Sequence, residues 1–422
     1  MLLTYKFRIY PKRKQIFRLL NNFNICKEVY NNLLELNINN YKETKKSLNK
    51  YKFNNYMKGK YKQIHSQVIQ NVSDRVHKSF QNFYRRLKDK KCKKKGFPRF
   101  KSRIKSITYP QSGFKLNNNK LYCSKLGNIP IKLHRKLEGK IKTPTIKQNK
   151  ANQYFAIFTC EIPDIKVSHS SAEKVGIDVG IENFATLSNG ETIANPRHLI
   201  KAENQLKFLQ RRLSRKVKGS ANRRRARFKV ARHHNKIANQ RSDFLHKLSR
   251  SLALRFSIIA VEDLNVKGML QNHCLAKHIT DASWNQFINM LSYKEVTLGG
   301  QCLKNPRTRG SSHRCNKCGF YVKDMPLNKR TLSCPKCLNV CHRDFNASKN
   351  HLNDTVGLAG ISTPVEILPL PSSNGKASGI MEAGTKRNES SKTIDAGSPL
   401  LAGGGCHLLI QILLIFYILV QV

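Results

Sequence analysis

Residues 174–195 read KVGIDVGIENFATLSNGETIAN. With a strand's period of two, Val175, Ile177 and Val179 share one face while Gly176, Asp178 and Gly180 share the other. A carboxylate flanked by glycines on a strand leaves room for an ion or a phosphate backbone to come close. Asn189-Gly190 then marks a tight hairpin turn. The stretch predicts a strand followed by a hairpin, with an acid on the open face. A buried aspartate capping a turn is the plainer reading, but it leaves both glycines without a purpose.

Two further acids repeat the design. In IIAVEDL, residues 258–264, Glu262 shares a strand face with the small Ala260. Asp263 then points the opposite way and is expected to cap the loop DLNVKG. Asp344 opens an amphipathic helix in RDFNASKN, residues 343–350, whose Phe345, Ser348 and Leu352 can pack inward. Asn346 either fixes the local backbone or sits on the helix surface; the sequence leaves both open. Three carboxylates converging without counter-charge repel one another. Divalent cations resolve this: two ions roughly 3.5–4 Å apart activate a water and stabilise a leaving oxygen in phosphodiester cleavage. Hard oxygen donors point to Mg²⁺ or Mn²⁺.

Just before Asp344 stand two C-x-x-C pairs, Cys315 with Cys318 and Cys334 with Cys337, separated by fifteen residues. That is the spacing of a structural zinc site. Each turn aims two thiolates at one point, and two turns complete a tetrahedron closed to water, so this Zn²⁺ would hold shape. His313, Cys341 and His342 lie close by as substitutes, although four cysteines suffice. Gly319 follows the first pair but Leu338 follows the second, where glycine would relax a positive-φ turn.

The 422 residues carry 78 Lys+Arg against 25 Asp+Glu, a formal net of +53. A field of that size calls for a polyanion, and nucleic acid is the expected partner. The N-terminal MLLTYKFRIYPKRK lacks a signal peptide's apolar stretch, so a cytoplasmic, nucleoid-associated protein is expected. TYKFRIYP alternates as a strand; residues 12 to about 95 turn to helical spacing; residues 115–162 return to short strands. Residues 198–254 read as two basic helices broken at Gly219-Ser220, and ASWNQFINMLSYKEV as another helix. Residues 351–422 hold only four Lys+Arg and five Asp+Glu, and 356–405 have the Gly, Ser and Pro content of a disordered segment. The last 17 residues are nearly all apolar, at the lower edge of a membrane span; no membrane partner is expected.

Taken together, GIDVG, VEDLNVKGM and the paired C-x-x-C motifs followed by RDFNASKN resemble the TnpB (OrfB) proteins of insertion sequences, relatives of the type V CRISPR nucleases. The similarity runs from YKFRIYP through KKGFPRFKS and IKLHRKLEGKIKTPTI to about residue 352, and takes in the helix at Trp284. His342, where many relatives carry an acid, and Leu338 depart from the family pattern.

The resemblance implies a multidomain α/β protein. A wedge-type β-barrel (1–12 and 103–170) would carry a helical recognition domain (13–102). An RNase H-like RuvC nuclease domain (171–352) would follow, containing the basic helical pair (about 198–254) and a zinc-ribbon insertion (about 311–341), with a disordered tail at 353–422. It implies Asp178, Glu262 and Asp344 as the catalytic triad and Cys315, Cys318, Cys334 and Cys337 as the ribbon ligands. It also implies a guide RNA from the transposon end and cleavage of double-stranded DNA. The ribbon would set where the last helix starts, and so where Asp344 meets the other acids.

Candidate phosphate contacts are Lys78, Arg85 and Arg86 in VHKSFQNFYRRLKDKK, Arg99 in the basic loop, and Arg223, Arg224, Arg225 and Arg227 in RRRARFKVARHH. A DNA-strand-transferring transposase and a catalytically silent nucleic-acid-binding regulator are the alternatives to an endonuclease; the intact acids argue against the second.

Overall fold

The computed structural model describes residues 2–92, 94–163, 169–305, 310–323, 325–326 and 329–356. The described residues fall into two compact units, 2–163 with 196–244, and 169–195 with 245–356.

In the first unit, the alternation at the N-terminus becomes β1 (Leu2–Ile9), which buries Tyr5, Phe7 and Ile9. It sits mid-sheet among β2 (Ser106–Thr108), β3 (Phe114–Asn117), β4 (Lys120–Cys123), β5 (Gly127–Lys132), β6 (Lys140–Gln148) and β7 (Tyr154–Glu161), in the order β2-β6-β7-β1-β5-β4-β3. Along its whole length β1 pairs with β7, but with β5 only at Arg8 and Ile9. The expected barrel is therefore a half-barrel: the edge strands β2 and β3 are short and no pairing joins them among the described residues.

Between β1 and β2 the expected helical stretch divides into α1 (Arg13–Thr44), α2 (Lys50–Met57) and α3 (Ser66–Lys88). Lys45 ends α1 in the left-handed conformation, and the Asn49 side chain caps α2 by accepting from Lys52 N–H. Leu19, Val29 and Leu33 of α1, Phe53 of α2 and Val72 and Val76 of α3 share one apolar core with Phe7, Ile107 and Phe158 of the sheet. Helices and half-barrel are thus held by a common hydrophobic interior rather than by separate ones. The basic pair forms α4 (His198–Ser214) and α5 (Ala221–Arg255), broken at Gly219, whose φ of 87° suits glycine.

The second unit is built on a mixed sheet of β8 (Lys174–Val179), β9 (Asn183–Leu187), β10 (Thr192–Ala194), β11 (Ile258–Glu262) and β12 (Gln301–Asn305), ordered β10-β9-β8-β11-β12. The predicted hairpin is present: Leu187 N–H donates to Glu191 C=O at 2.9 Å across a turn where Gly190 has φ 94°. β11 runs parallel to both β8 and β12. α6 (Val266–Met269), α7 (His273–Ala282) and α8 (Trp284–Leu298) connect β11 to β12. Asn265 caps α6, its side chain accepting from Gly268 N–H immediately before the first turn. Trp284 and Phe287 of α8 are buried, Phe287 edge-on to Phe184 of β9 at 5.1 Å.

The two-stranded β13 (Thr331–Ser333) and β14 (Val340–His342) lead into α9 (Arg343–Val356), which runs four residues past the expected domain end at 352. No helix among the described residues is long and apolar enough to cross a membrane. Of the tail expected at 353–422, residues 353–356 belong to α9, and 357–422, with the apolar end, lie outside the described residues.

Candidate functional site

Asp178 is the penultimate residue of β8 and Glu262 the last of β11. The parallel pairing of these strands runs up to Val261 opposite Ile177, so the next residues on each strand emerge side by side. Helix α9 lies over them. At Gly176 it comes close: a Cβ there would overlap the Ser348 carbonyl oxygen and approach Leu352 N to 2.8 Å. The sequence reading gave this glycine to an approaching ion or phosphate; the space is taken by the helix backbone instead.

What α9 brings to the two acids is His351. One ligand atom each from Asp178, Glu262 and His351 all lie within 4.8 Å of one another. His351 went unnoticed in the sequence, yet it follows Asp344 by seven residues, two helical turns, and so shares its face.

Asp344 occupies the first turn of α9, outside that three-residue cluster but close enough to act on it. Its charge helps hold the Asp178 carboxyl above the usual carboxylate range. Burial is the larger cause, while the His351 imidazole pulls the other way. Arg330 Nη1 stands 3.8 Å from Asp344 Oδ1, and Arg330 Nη2 3.4 Å from Glu182 Oε2. His342 accepts from Asp344 N–H through Nδ1 at 3.3 Å, supplying an acceptor at the helix start.

The four cysteines converge as their spacing predicts. Cys315 and Cys337 Sγ are 3.7 Å apart, Cys318 and Cys334 Sγ 3.5 Å, and all four lie within 4.8 Å. A tetrahedral zinc with Zn–S of ~2.3 Å requires S···S of about 3.8 Å, so the cage fits that ion.

The two turns share one hydrogen-bond pattern. Cys315 N–H bonds Phe320 C=O and Gly319 N–H bonds Cys315 C=O, just as Cys334 bonds Asn339 and Leu338 bonds Cys334. Gly319 has φ 73° and Leu338 φ 56°, which confirms the left-handed demand on the leucine. Burial alone would raise the Cys315 thiol, but backbone N–H groups at Cys318 and Lys317 bring it down to about 6. At Cys337 the Asn339 backbone lowers the pKa, while the neighbouring thiols push it up to about 12. So crowded a set cannot all ionise without a cation. Of the substitutes, His313 is occupied with Val322 C=O and stacks on Tyr321.

The cysteine segment and α9 are joined through Asn346, which is fully buried. Its Oδ1 accepts from Asn316 N–H at 2.8 Å, and its Nδ2 donates to the Ser311 and Arg314 carbonyls. Asn350, one turn on, donates to the same two carbonyls, and Asp354 accepts from Arg314 at 2.6 Å. Of the two readings left open for Asn346, the backbone-fixing one holds.

Among the basic candidates, Lys78, Arg85, Arg99, Arg224, Arg225 and Arg227 are exposed. Two others spend donors internally: Arg86 on the Lys95 and Gly96 carbonyls, and Arg223 on those of Leu213 and Lys216. Phe80 is core and packs on Phe97. Lys105 lies below the usual lysine range, first through burial and then through the like charges of Arg103, Arg227 and Lys150.

With fold and site described, comparison with known proteins places the chain. The fold is shared with the cryo-EM structure of a Cas12f1–sgRNA–target DNA complex, at a TM-score of 0.52 and 15% identity over 81% of this chain and 82% of that one. A Streptomyces pristinaespiralis protein named as a candidate RNA-guided DNA endonuclease is 35% identical over 84% of this chain and 89% of its own length. An Escherichia coli K12 protein with the same description is 32% identical over 68% and 74%. Family models match at residues 157–273 ("Probable transposase", OrfB of IS605), 284–351 ("Cas12f1-like, TNB domain") and 1–46 ("Helix-turn-helix domain"). The last region holds β1 and the single long helix α1 here.

This is an α/β protein whose fold resembles that of Cas12f1. The chain belongs to the TnpB (OrfB) family.

Proposed function

We propose that the chain is an RNA-guided, metal-dependent DNA endonuclease whose RuvC-like site is formed by Asp178, Glu262 and Asp344. The observation that carries this reading is the emergence of Asp178 and Glu262 from adjacent parallel strands under a helix whose first turn carries Asp344. Divalent cations, Mg²⁺ or Mn²⁺, supply a nucleophile from water and stabilise the leaving oxygen when bound. The chain's own part is to place the carboxylates. Asp178 and Glu262 are fixed by the sheet ladder, and Asp344 by the helix start that the cysteine segment holds. The close-packed acids, with Asp178 raised in pKa, fit a site that releases its repulsion by taking up cations.

The four cysteines fit a structural zinc, in which case the segment is a zinc ribbon buttressing α9. It touches the chemistry only by positioning, with Arg330 set beside Asp344. The half-barrel answers to the wedge expected from the family, and the net charge of +53 to a guide RNA and its DNA target.

The test is plasmid cleavage by protein purified with RNA from its flanking transposon end, with Mg²⁺, a randomised sequence beside the target, and Asp178→Ala in parallel. Guide-dependent double-strand cuts lost in the variant are expected. Tight RNA binding with no cutting under any divalent ion would reject the nuclease in favour of a silent binding protein.

A further inference from the structure

We propose that His351 is itself a metal ligand. Its Nε2 joins Asp178 and Glu262 in a mixed nitrogen–oxygen site for one divalent cation, and the nitrogen tilts that site toward Mn²⁺ over Mg²⁺. This rests on the metal-site reading above and adds a residue that reading does not contain.

The imidazole is 2% exposed, and its Nε2 is buried with no hydrogen-bond partner. Asp178 Oδ1 lies 3.7 Å away, too far for a hydrogen bond, yet Nε2 falls within the 4.8 Å cluster with both acids. A buried donor or acceptor left unmatched costs roughly 1–3 kcal/mol. A cation between the three groups removes that cost, and removes the repulsion of the carboxylates as well.

The ring's position is held from behind. The His351 carbonyl accepts from Asn305 Nδ2 and Thr355 Oγ1, both at 2.7 Å, and Thr355 Oγ1 is also 2.7 Å from Asn305 Oδ1. The other ring nitrogen, Nδ1, lies 3.5 Å from Asn305 Nδ2, too long a contact to dictate the tautomer. Nδ1 is therefore able to carry the ring proton while Nε2 offers its lone pair. Imidazole nitrogen suits transition ions, whereas all-oxygen sites suit Mg²⁺. Mn²⁺ accepts both donor types.

The test uses the full chain. Mn²⁺ and Mg²⁺ binding are titrated on the parent, His351→Leu, His351→Gln and Asp178→Ala, and the bound Mn²⁺ is examined by pulsed EPR for ¹⁴N coupling. We expect ¹⁴N coupling in the parent that disappears in His351→Leu. Mn²⁺ affinity should fall in that variant by at least the roughly 10- to 100-fold that losing even an outer-shell partner costs, with Mg²⁺ affinity nearly unchanged. Circular dichroism checks folding; should the leucine variant fail to fold, His351→Gln replaces it, and the parent's spectrum needs no variant. Bound Mn²⁺ without ¹⁴N coupling, or an unchanged Mn²⁺/Mg²⁺ ratio in the variants, would overturn the proposal even if cleavage fell, because His351 would then only orient Asp178. Mn²⁺ binding that survives Asp178→Ala would reject the acidic metal site as a whole.

Discussion

Leu338 is held at φ 56° with its side chain 82% exposed, so its backbone is strained and its packing contributes little. Left-handed backbone costs a non-glycine residue about 1–2 kcal/mol, part of which glycine returns through its freer unfolded chain. Leu338→Gly is expected to raise stability by about 0.5–1 kcal/mol and to slow metal loss to a chelator; an unchanged or lower melting temperature would contradict this. Glu295 poses a different problem. It is 0% exposed, neither carboxyl oxygen has a hydrogen-bond partner, and burial pushes its pKa up to about 8. A folded pKa above the unfolded one means that the native state binds the extra proton. Its contribution is therefore full below about pH 4.5 and is lost as pH rises toward 8, by about 1.4 kcal/mol per unit within that window. Glu295→Gln should flatten this slope, matching the parent's melting temperature near pH 5 and exceeding it at pH 8. Leu338 was legible in the sequence from its place after C-x-x-C. Glu295 was not, because nothing local announces that a helical glutamate will be closed in.

At the scale of elements, α9 is the piece on which the site depends. Gly176 lets it lie against β8, while Asn346, Asn350 and Asp354 tie its other face to the cysteine segment. Asn346→Ala would strand the Asn316 N–H and weaken two carbonyl contacts, at a cost of about 2–3 kcal/mol. Hydrogen exchange should then quicken across residues 343–356 more than in β8 or β11; uniform exchange would show that the segment does not hold the helix. Removing the proposed zinc should act through the same link, loosening α9 and lowering Mn²⁺ affinity at the acidic site although the two sites share no ligand. Retained cleavage by a folded, zinc-free protein would end this account. Much of this element was readable: the amphipathic start at Asp344, the paired knuckles, and the helix immediately after them. Its second polar face, Asn346 and Asn350, was not, since an asparagine on a helix reads as surface until something covers it.

For the whole molecule the net charge of +53 sets the expectation. Exposed Arg224, Arg225 and Arg227 stand along one helix, and Arg227 is among the like charges that depress Lys105, as an uncompensated patch should. Replacing those three arginines by alanine should reduce the slope of log K against log salt for single-stranded RNA by roughly 2. Arg223→Ala, which breaks contacts to the Leu213 and Lys216 carbonyls, should instead lower the melting temperature with less effect on the slope. Equal slopes for the triple variant and the parent would remove this helix from the nucleic-acid surface.

Motifs whose meaning lies within a few residues were determined by the sequence alone. These are the four cysteines that meet, the tight turn at Asn189-Gly190, the strand carrying Asp178, and the break at Gly219. Each follows from local backbone geometry and side-chain period, which neighbours in the chain fix between themselves. Tertiary structure alone decided that His351 joins Asp178 and Glu262, that Gly176 receives a helix, that helices and half-barrel share one core, and that the barrel stays open among the described residues. These depend on which surfaces meet across long separations in the chain, and burial, unlike periodicity, is not a property of any one segment.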